Sequence, residues 1–171
     1  MSDVTVEEGK ATRVVAEAEA GKYLTFQLGA EVYGIAILKV QEIIGMMAVT
    51  RVPRTPPYVR GVINLRGKVI PVIDLRAKFG LDARADTGRT CIVVVQVSYE
   101  VCRVTMGIIV DEVSEVLYID QDQIEPRPVL GTTLNTDFIL GMGKVGDRVV
   151  MLLDVDKVLS TEEITTVRQV A

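Results

Sequence analysis

Short apolar runs alternate with breaks rich in Gly, Pro or acidic residues, and the runs have strand length rather than helix length. The most ordered stretch is Gly61-Val62-Ile63-Asn64-Leu65-Arg66-Gly67-Lys68-Val69-Ile70-Pro71-Val72-Ile73-Asp74. Two apolar runs, 62–65 and 69–73, flank Arg66-Gly67-Lys68 and predict a β-hairpin. Their near-continuous apolarity predicts strands packed on both faces. Asn64, Arg66 and Lys68 then stand at an exposed turn, where polar side chains can meet a partner. Pro71 has no N–H to give to a ladder, which predicts an edge position or a bulge.

The other runs extend the pattern. Residues 23–28 predict a first strand, 29–31 a turn and 32–35 the return strand. Ile37, Val40, Ile43 and Ile44 predict a short turn leading into a strand that stops at Gly45. Pro53, Pro56 and Pro57 predict an extended connection. Residues 75–81 read as a short helix stopped by Gly80, and 82–90 as a linker. Residues 91–97 predict a strand buried on both faces, and 101–110 and 149–153 predict further strands. Residues 121–136 are the longest irregular connection, and 154–167 predict a terminal helix. Ser160-Thr161-Glu162-Glu163 carries a cap for a last helical segment. The polar, Ala- and Glu-rich residues 1–21 predict a mobile tail.

The pattern occurs twice. Gly61 to Asp74 and Gly141 to Asp154 each span thirteen positions, and an aromatic residue, Tyr58 or Phe138, stands three before each glycine. Upstream, Tyr33-Gly34-Ile35 matches Met106-Gly107-Ile108, and Glu42-Ile43-Ile44 matches Glu115-Val116-Leu117. The offsets are 80 and 73 residues, in the same order. We read a duplicated β-rich unit; a solenoid needs three or more copies. Five short strands per unit with Gly and Pro punctuation predict β-barrels. Each is too small to bury much core alone, so the second is expected to pack against the first with helical pieces in the seam.

Composition narrows the function. The chain of 171 residues is 49% apolar, enough for a core, and its net charge of −4 with few aromatics argues against nucleic acid. No apolar run reaches transmembrane length, so direct membrane insertion is not expected. Asp3, Glu7 and Glu8 stand where an export signal would carry basic and apolar residues, which predicts a cytoplasmic protein. Cys91 and Cys102 are expected to be small buried hydrophobes that do not face each other. With no His, metal sites and Ser-His-Asp chemistry lose their usual members, and neither metal nor cofactor is expected. No Gly-Lys-Ser/Thr phosphate loop follows the glycines. Asp74 and Asp154, at equivalent strand ends, are the one candidate carboxylate pair for a small enzyme. Their equivalence is explained more simply by two carboxylates that each satisfy local backbone donors.

Several segments carry a family resemblance. Tyr33-Gly34-Ile35-x-Ile37-Leu38-Lys39-Val40-Gln41-Glu42-Ile43, the Gly61 to Leu75 stretch, Gly107-Ile108-Ile109-Val110-Asp111 and Gly146-Asp147-Arg148 together resemble the CheW family of bacterial chemotaxis coupling proteins, over residues 22 to 165. The resemblance implies an all-β fold with short helices: two tandem SH3-like five-stranded β-barrels at about 22–85 and 90–155, a terminal helix packing at the seam, and a tail at 166–171. It implies a non-enzymatic adaptor that joins methyl-accepting chemoreceptors to the regulatory domain of the histidine kinase CheA, recruited to membrane-associated receptor arrays. Carried over by motif, the receptor-binding residues are Val40, Glu42, Arg60, Gly61 and Arg66, with Arg60 standing where the family has lysine. Kinase contact falls near Gly45 and Val49. The alternative is a CheW-like regulatory module of a larger signalling protein.

Overall fold

Turn chemistry sets the strand pairs. Arg66 and Gly67 both have positive φ, 53° and 87°, the backbone of a type I′ turn that matches strand twist. Asn64 Oδ1 accepts the Gly67 N–H at 2.8 Å and closes it. In the computed structural model, which describes residues 18–127 and 137–170, this turn joins β4 (Val59–Leu65) to β5 (Lys68–Asp74). The described residues form nine further strands. The first half supplies β1 (Gly21–Leu28), β2 (Glu31–Ala36) and β3 (Val40–Gly45). The second half supplies β6 (Cys91–Tyr99), β7 (Cys102–Val110), β8 (Glu112–Ile119), β9 (Ile124–Glu125), β10 (Ile139–Val145) and β11 (Arg148–Leu153). The helices are α1 (Leu75–Lys78) and α2 (Thr161–Val170), with 3-10 turns at Ile37–Lys39 and Gln121–Gln123.

Two sheets result, as expected, but they do not follow the division of the chain near residue 85. One has the order β8-β1-β2-β11-β10-β9 and the other β3-β6-β7-β5-β4. Each unit therefore lends its first hairpin to the other: β1-β2 joins the strands of the second half, and β6-β7 joins those of the first. The swap is made by two parallel pairings, Gly34 opposite Leu152 and Gly107 opposite Val72. Both glycines are repeat positions, and each lets the neighbouring strand approach: a Cβ on Gly107 would come within 2.6 Å of Ile92 Cγ2. Both sheets curl closed. Residues beyond β3 return to β4, where Thr50 and Val62 exchange two backbone hydrogen bonds of 2.8 Å. The chain beyond β8 likewise returns through β9 to β10.

The core has three parts. Tyr23, Val32, Ile119, Val150 and Leu152 fill the β1-containing barrel, and Ile63, Ile70, Val72, Ile92, Val94 and Ile109 fill the β6-containing one. The largest cluster lies between them and includes Leu24, Phe26, Val93, Val95, Met106 and Ile108, with Leu75, Ile164 and Val167 from the helices. β6 is buried on both faces as expected, because alternate valines feed different cores. An aromatic row crosses the middle: Phe26 to Tyr33 at 6.0 Å, Tyr33 to Phe79 at 5.6 Å and Phe79 to Phe138 at 5.1 Å. Its last pair stacks the aromatic beside α1 on the aromatic that opens the second hairpin.

Other expectations need correction. Of the tail, 1–17 lie outside the described residues, but 18–20 are tied down: Ala18 is buried and donates its N–H to Leu140 O at 3.2 Å. The terminal helix begins at Thr161, not 154, because the Asp154 carboxylate and carbonyl hold the N–H groups of Asp156 and Lys157 in a turn. Ser160 and Glu163 then form the reciprocal cap. The helix takes in 166–170 of the expected second tail, with Val167 fully buried. Pro71 lies in an internal strand, but β7 pairs only with Val72–Asp74, so no partner asks Pro71 for a donor. Val69, expected to pack on both sides, is half exposed at the hairpin tip. The long connection 121–136 includes a 3-10 turn and β9, and its residues 128–136 lie outside the described ones. Cys91 and Cys102 are free, half-buried, and opposite Val110 and Tyr99 rather than each other.

Because the largest cluster belongs to both barrels, they should unfold together. Phe26→Ala is expected to cost about 3–5 kcal/mol and to leave one cooperative transition. Urea unfolding followed by both far-UV circular dichroism and tyrosine fluorescence checks this. Two separate transitions would mean independent barrels.

Candidate partner-binding site

The seven residues singled out by motif all belong to the β6-containing barrel, but they do not form one cluster. β3 carries Val40, Glu42 and Gly45, and the β4-β5 hairpin carries Arg60, Gly61 and Arg66. β3 and β4 are the two margins of this sheet, which barrel closure brings near each other. Across that closure Arg66 reaches Glu42 with two parallel hydrogen bonds of 2.6 Å, Nη1 to Oε2 and Nη2 to Oε1. The Arg66 side chain is 70% exposed and that of Glu42 23%. The hydrogen bonds from Arg66 hold the Glu42 carboxyl below its ordinary value, and those same bonds raise Arg66. Arg66 also sits in left-handed backbone that non-glycine residues seldom adopt. The same elements carry exposed apolar side chains: Val69 beyond the turn, and Ile43, which follows Glu42 and points to the opposite face of β3.

Arg60 stands at the other end of β4, six residues or about 20 Å of strand from Arg66. Its guanidinium bonds Asp74 Oδ2 at 3.2 Å and Asp86 Oδ2 at 3.1 Å. Burial pulls its pKa down, but Asp86 and Asp74 outweigh that and the net shift is upward. It is engaged in holding the end of β5 and the 81–90 segment, rather than standing free. Asp74 also accepts the N–H groups of Arg76 and Ala77, so it caps α1 while binding Arg60. Asp154 does the matching work after β11, accepting the Asp156 N–H at 2.9 Å, and burial raises its pKa. The backbone repeats too: Asp74 donates its N–H to Tyr58 O at 2.7 Å and Asp154 to Phe138 O at 2.8 Å. Both carboxylates are occupied with chain geometry, one in each barrel.

Gly61 has φ +149°, and a Cβ there would overlap the Thr50 carbonyl and press within 2.9 Å of Val49 Cγ1. It is the position that lets residues 49–50 close the barrel. Gly61 and Val49, assigned to different partners from sequence, are thus in contact. Gly45 pairs with Cys91 at the end of β3, and the space around it is open. Val40 packs on the central core beside the 3-10 turn, where Leu38 is 95% exposed. Sequence reasoning did not single out Leu38, because an apolar residue in an apolar run carries no sign of pointing outward. It also missed Thr50, whose role comes from backbone, and Asp111. Asp111 Oδ2 accepts from Gly29 N–H and Arg76 Nη1, both at 2.7 Å.

Two outcomes follow. In a carboxyl NMR titration, Glu42 should deprotonate below its ordinary pKa in the native chain and return toward it in Arg66→Ala. A depressed pKa means that the pair is intact above the ordinary glutamate range and lost as pH falls through the lowered value. Gly61→Ala should lower thermal stability by about 1–3 kcal/mol, whereas Gly45→Ala, in open space, should change it little; equal shifts would refute the closure role of Gly61.

Comparison with known proteins agrees with this architecture. Residues 22–163 match the CheW-like domain family. The chain is 42% identical to the chemotaxis protein CheW of Klebsiella aerogenes over 160 residues, covering 94% of each. It is 38% identical to the chemotaxis protein CheW of Helicobacter pylori over 144 residues, 84% of each. The crystal structure of the scaffolding protein TtCheW from Thermoanaerobacter tengcongensis superposes with a TM-score of 0.74 at 35% identity, covering 84% of this chain and 95% of that one. With its paired barrels, its repeat and its motifs, the chain belongs to the CheW-like family of chemotaxis proteins.

Proposed function

We propose that this protein is a non-enzymatic adaptor coupling methyl-accepting chemoreceptors to the histidine kinase CheA. The observation that carries the reading is the Glu42–Arg66 pair, a bidentate contact with an exposed guanidinium on a barrel margin whose strands also expose Ile43 and Val69. Apolar surface rimmed by fixed charges suits docking of an amphipathic hairpin, with the apolar part supplying affinity and the charges fixing register. A chemoreceptor tip is the partner proposed for it. Val40 and Glu42 at one end of β3 and Arg66 across the closure form the receptor margin. Arg60 and Gly61 act in support, one holding β5 and the other seating residues 49–50.

The kinase regulatory domain is proposed to dock at the far end of β3, around Gly45 and Val49. Three residues separate Glu42 from Gly45, about 10 Å of strand, so the two partners stand side by side on one barrel. Coupling then needs no chemistry. A receptor rearrangement that changes its contacts beside Glu42 shifts the neighbouring kinase only by the difference in contact free energy between the two kinase states. No helix of the described residues is long and apolar enough to cross a membrane. The protein is proposed to reach the membrane through its receptors.

Arg66→Glu places a second carboxylate opposite Glu42 and should weaken capture of a receptor tip fragment about tenfold, the effect of about 1.4 kcal/mol. Binding of the kinase regulatory domain should hold within about twofold. Pull-down titrations with both fragments, alongside thermal melts, check this. Equal loss of both with an unchanged melting temperature would sink the division of the β3 margin between two partners.

A further inference from the structure

We propose that this chain forms a domain-exchanged dimer, in which residues 18–80 of one copy complete their barrels with residues 91–170 of a second. Three observations lead there. First, the two units have no sheet of their own. Each sheet needs a hairpin from the other unit, and the largest core cluster draws on both. The surface one unit presents to the other is therefore the same whether that other is on the same chain or not.

Second, the units are electrically opposite. Residues 18–80 hold nine Lys and Arg against four Asp and Glu, a net +5, while residues 91–170 hold six against thirteen, a net −7. Three ion pairs between described residues of the two units share one polarity. Lys39 Nζ meets Asp156 Oδ2 at 2.8 Å, Arg76 Nη1 meets Asp111 Oδ2 at 2.7 Å, and Lys78 Nζ meets Glu163 Oε2 at 2.6 Å. In each the cation comes from the first unit and the anion from the second. Two repeats of one design would otherwise be free to pair like with like. Opposite charge favours first-with-second pairing and opposes first-with-first and second-with-second. It does not distinguish a partner unit on the same chain from one on another copy.

Third, the connection is a hinge by composition and contact. Residues 81–90 have no helix or strand. Their contacts include ion pairs of Asp86 with Arg60 and of Arg84 with Asp111, the kind of near-surface pair that contributes little. Residues 81–89 are exposed, so opening the hinge breaks surface contacts such as those of Asp86 with Arg60, Arg84 with Asp111 and Arg89 with Glu112, and closing onto a second copy restores the inter-unit contacts. The balance is set by effective concentration. A short flexible tether keeps its own two units at about millimolar, so exchange is expected when copies are refolded near that concentration.

The test uses the full chain with two purification tags. Lys39→Asp puts two carboxylates face to face within a monomer, and Asp156→Lys puts two ammonium groups there. An exchanged heterodimer of the two variants restores an opposite-charge pair in both positions. Refolded together at about 1 mM, the variants should yield a species of twice the monomer mass carrying both tags. It should be at least about threefold enriched over the yield from two tagged wild-type copies, the scale of two exposed ion pairs. Mixing the variants after folding should yield none. Wild-type copies refolded at that concentration should themselves give a small dimer fraction that persists on dilution, which keeps the proposal testable if a variant folds poorly. Monomer alone in both experiments overturns the exchange. A doubly tagged dimer with no enrichment over wild type overturns the role given to charge polarity.

Discussion

The parallel pairing of β2 with β11 and of β5 with β7 is the constraint on which this molecule rests. Parallel neighbours cannot be joined by a tight turn and need a long connection between them. Here residues 37–147 connect β2 to β11, and residues 75–101, which include α1 and β6, connect β5 to β7. Each pairing draws one strand from each repeat, so neither barrel can close until both halves are present. The largest cluster of buried side chains lies between the barrels because both sheets are hydrophobic on the face they turn to each other. Rigidity is a consequence. β3 and β4, which carry the candidate site, are the margins of a sheet whose centre is β7, and β3 pairs directly with β6, a strand with Ile92 to Val95 wholly buried.

Within that frame the site divides into parts that meet a partner and parts that hold shape. Glu42 and Arg66 face solvent as a preformed pair, and neither must be ordered at the moment of binding, which lowers the entropic cost of recognition. Arg60, Asp74 and Gly61 hold shape at the other end of the hairpin. Asp74 serves both sides at once, capping α1 with one carboxylate oxygen and holding Arg60 with the other. Arg76, in that same helix, extends the contact to Asp111 at the start of the second unit's crossover.

Much of this was legible in the residues, and the failures are informative. The hairpin turn at Arg66-Gly67, the Gly80 stop and the Ser160–Glu163 cap are local, and local chemistry is what a sequence displays. The repeat was visible because equivalent glycines and aspartates do the same work in both copies. What could not be read was which copy's strands pair with which. The apolar pattern of β1 and β2 is satisfied equally by a sheet from either half, and periodicity carries no address. Nor does the sequence show that Gly61 and Val49, which the resemblance gives to different partners, are in contact, the absence of a side chain on one seating the other. Exposed Leu38 and Val69 were hidden inside apolar runs for a similar reason.

The reciprocal loan of hairpins also bears on origin. A single repeat with this geometry has no closed barrel and would expose two unpaired sheet margins, so it could not have been a stable monomer. It could have been a symmetric pair of identical chains, each donating its first hairpin to its twin. Fusing two such genes head to tail reproduces this topology without moving a strand. Once fused, the halves were released from identity, and one was free to gather arginines while the other gathered acids. The lopsided charge of the present protein is then a record of symmetry lost after joining.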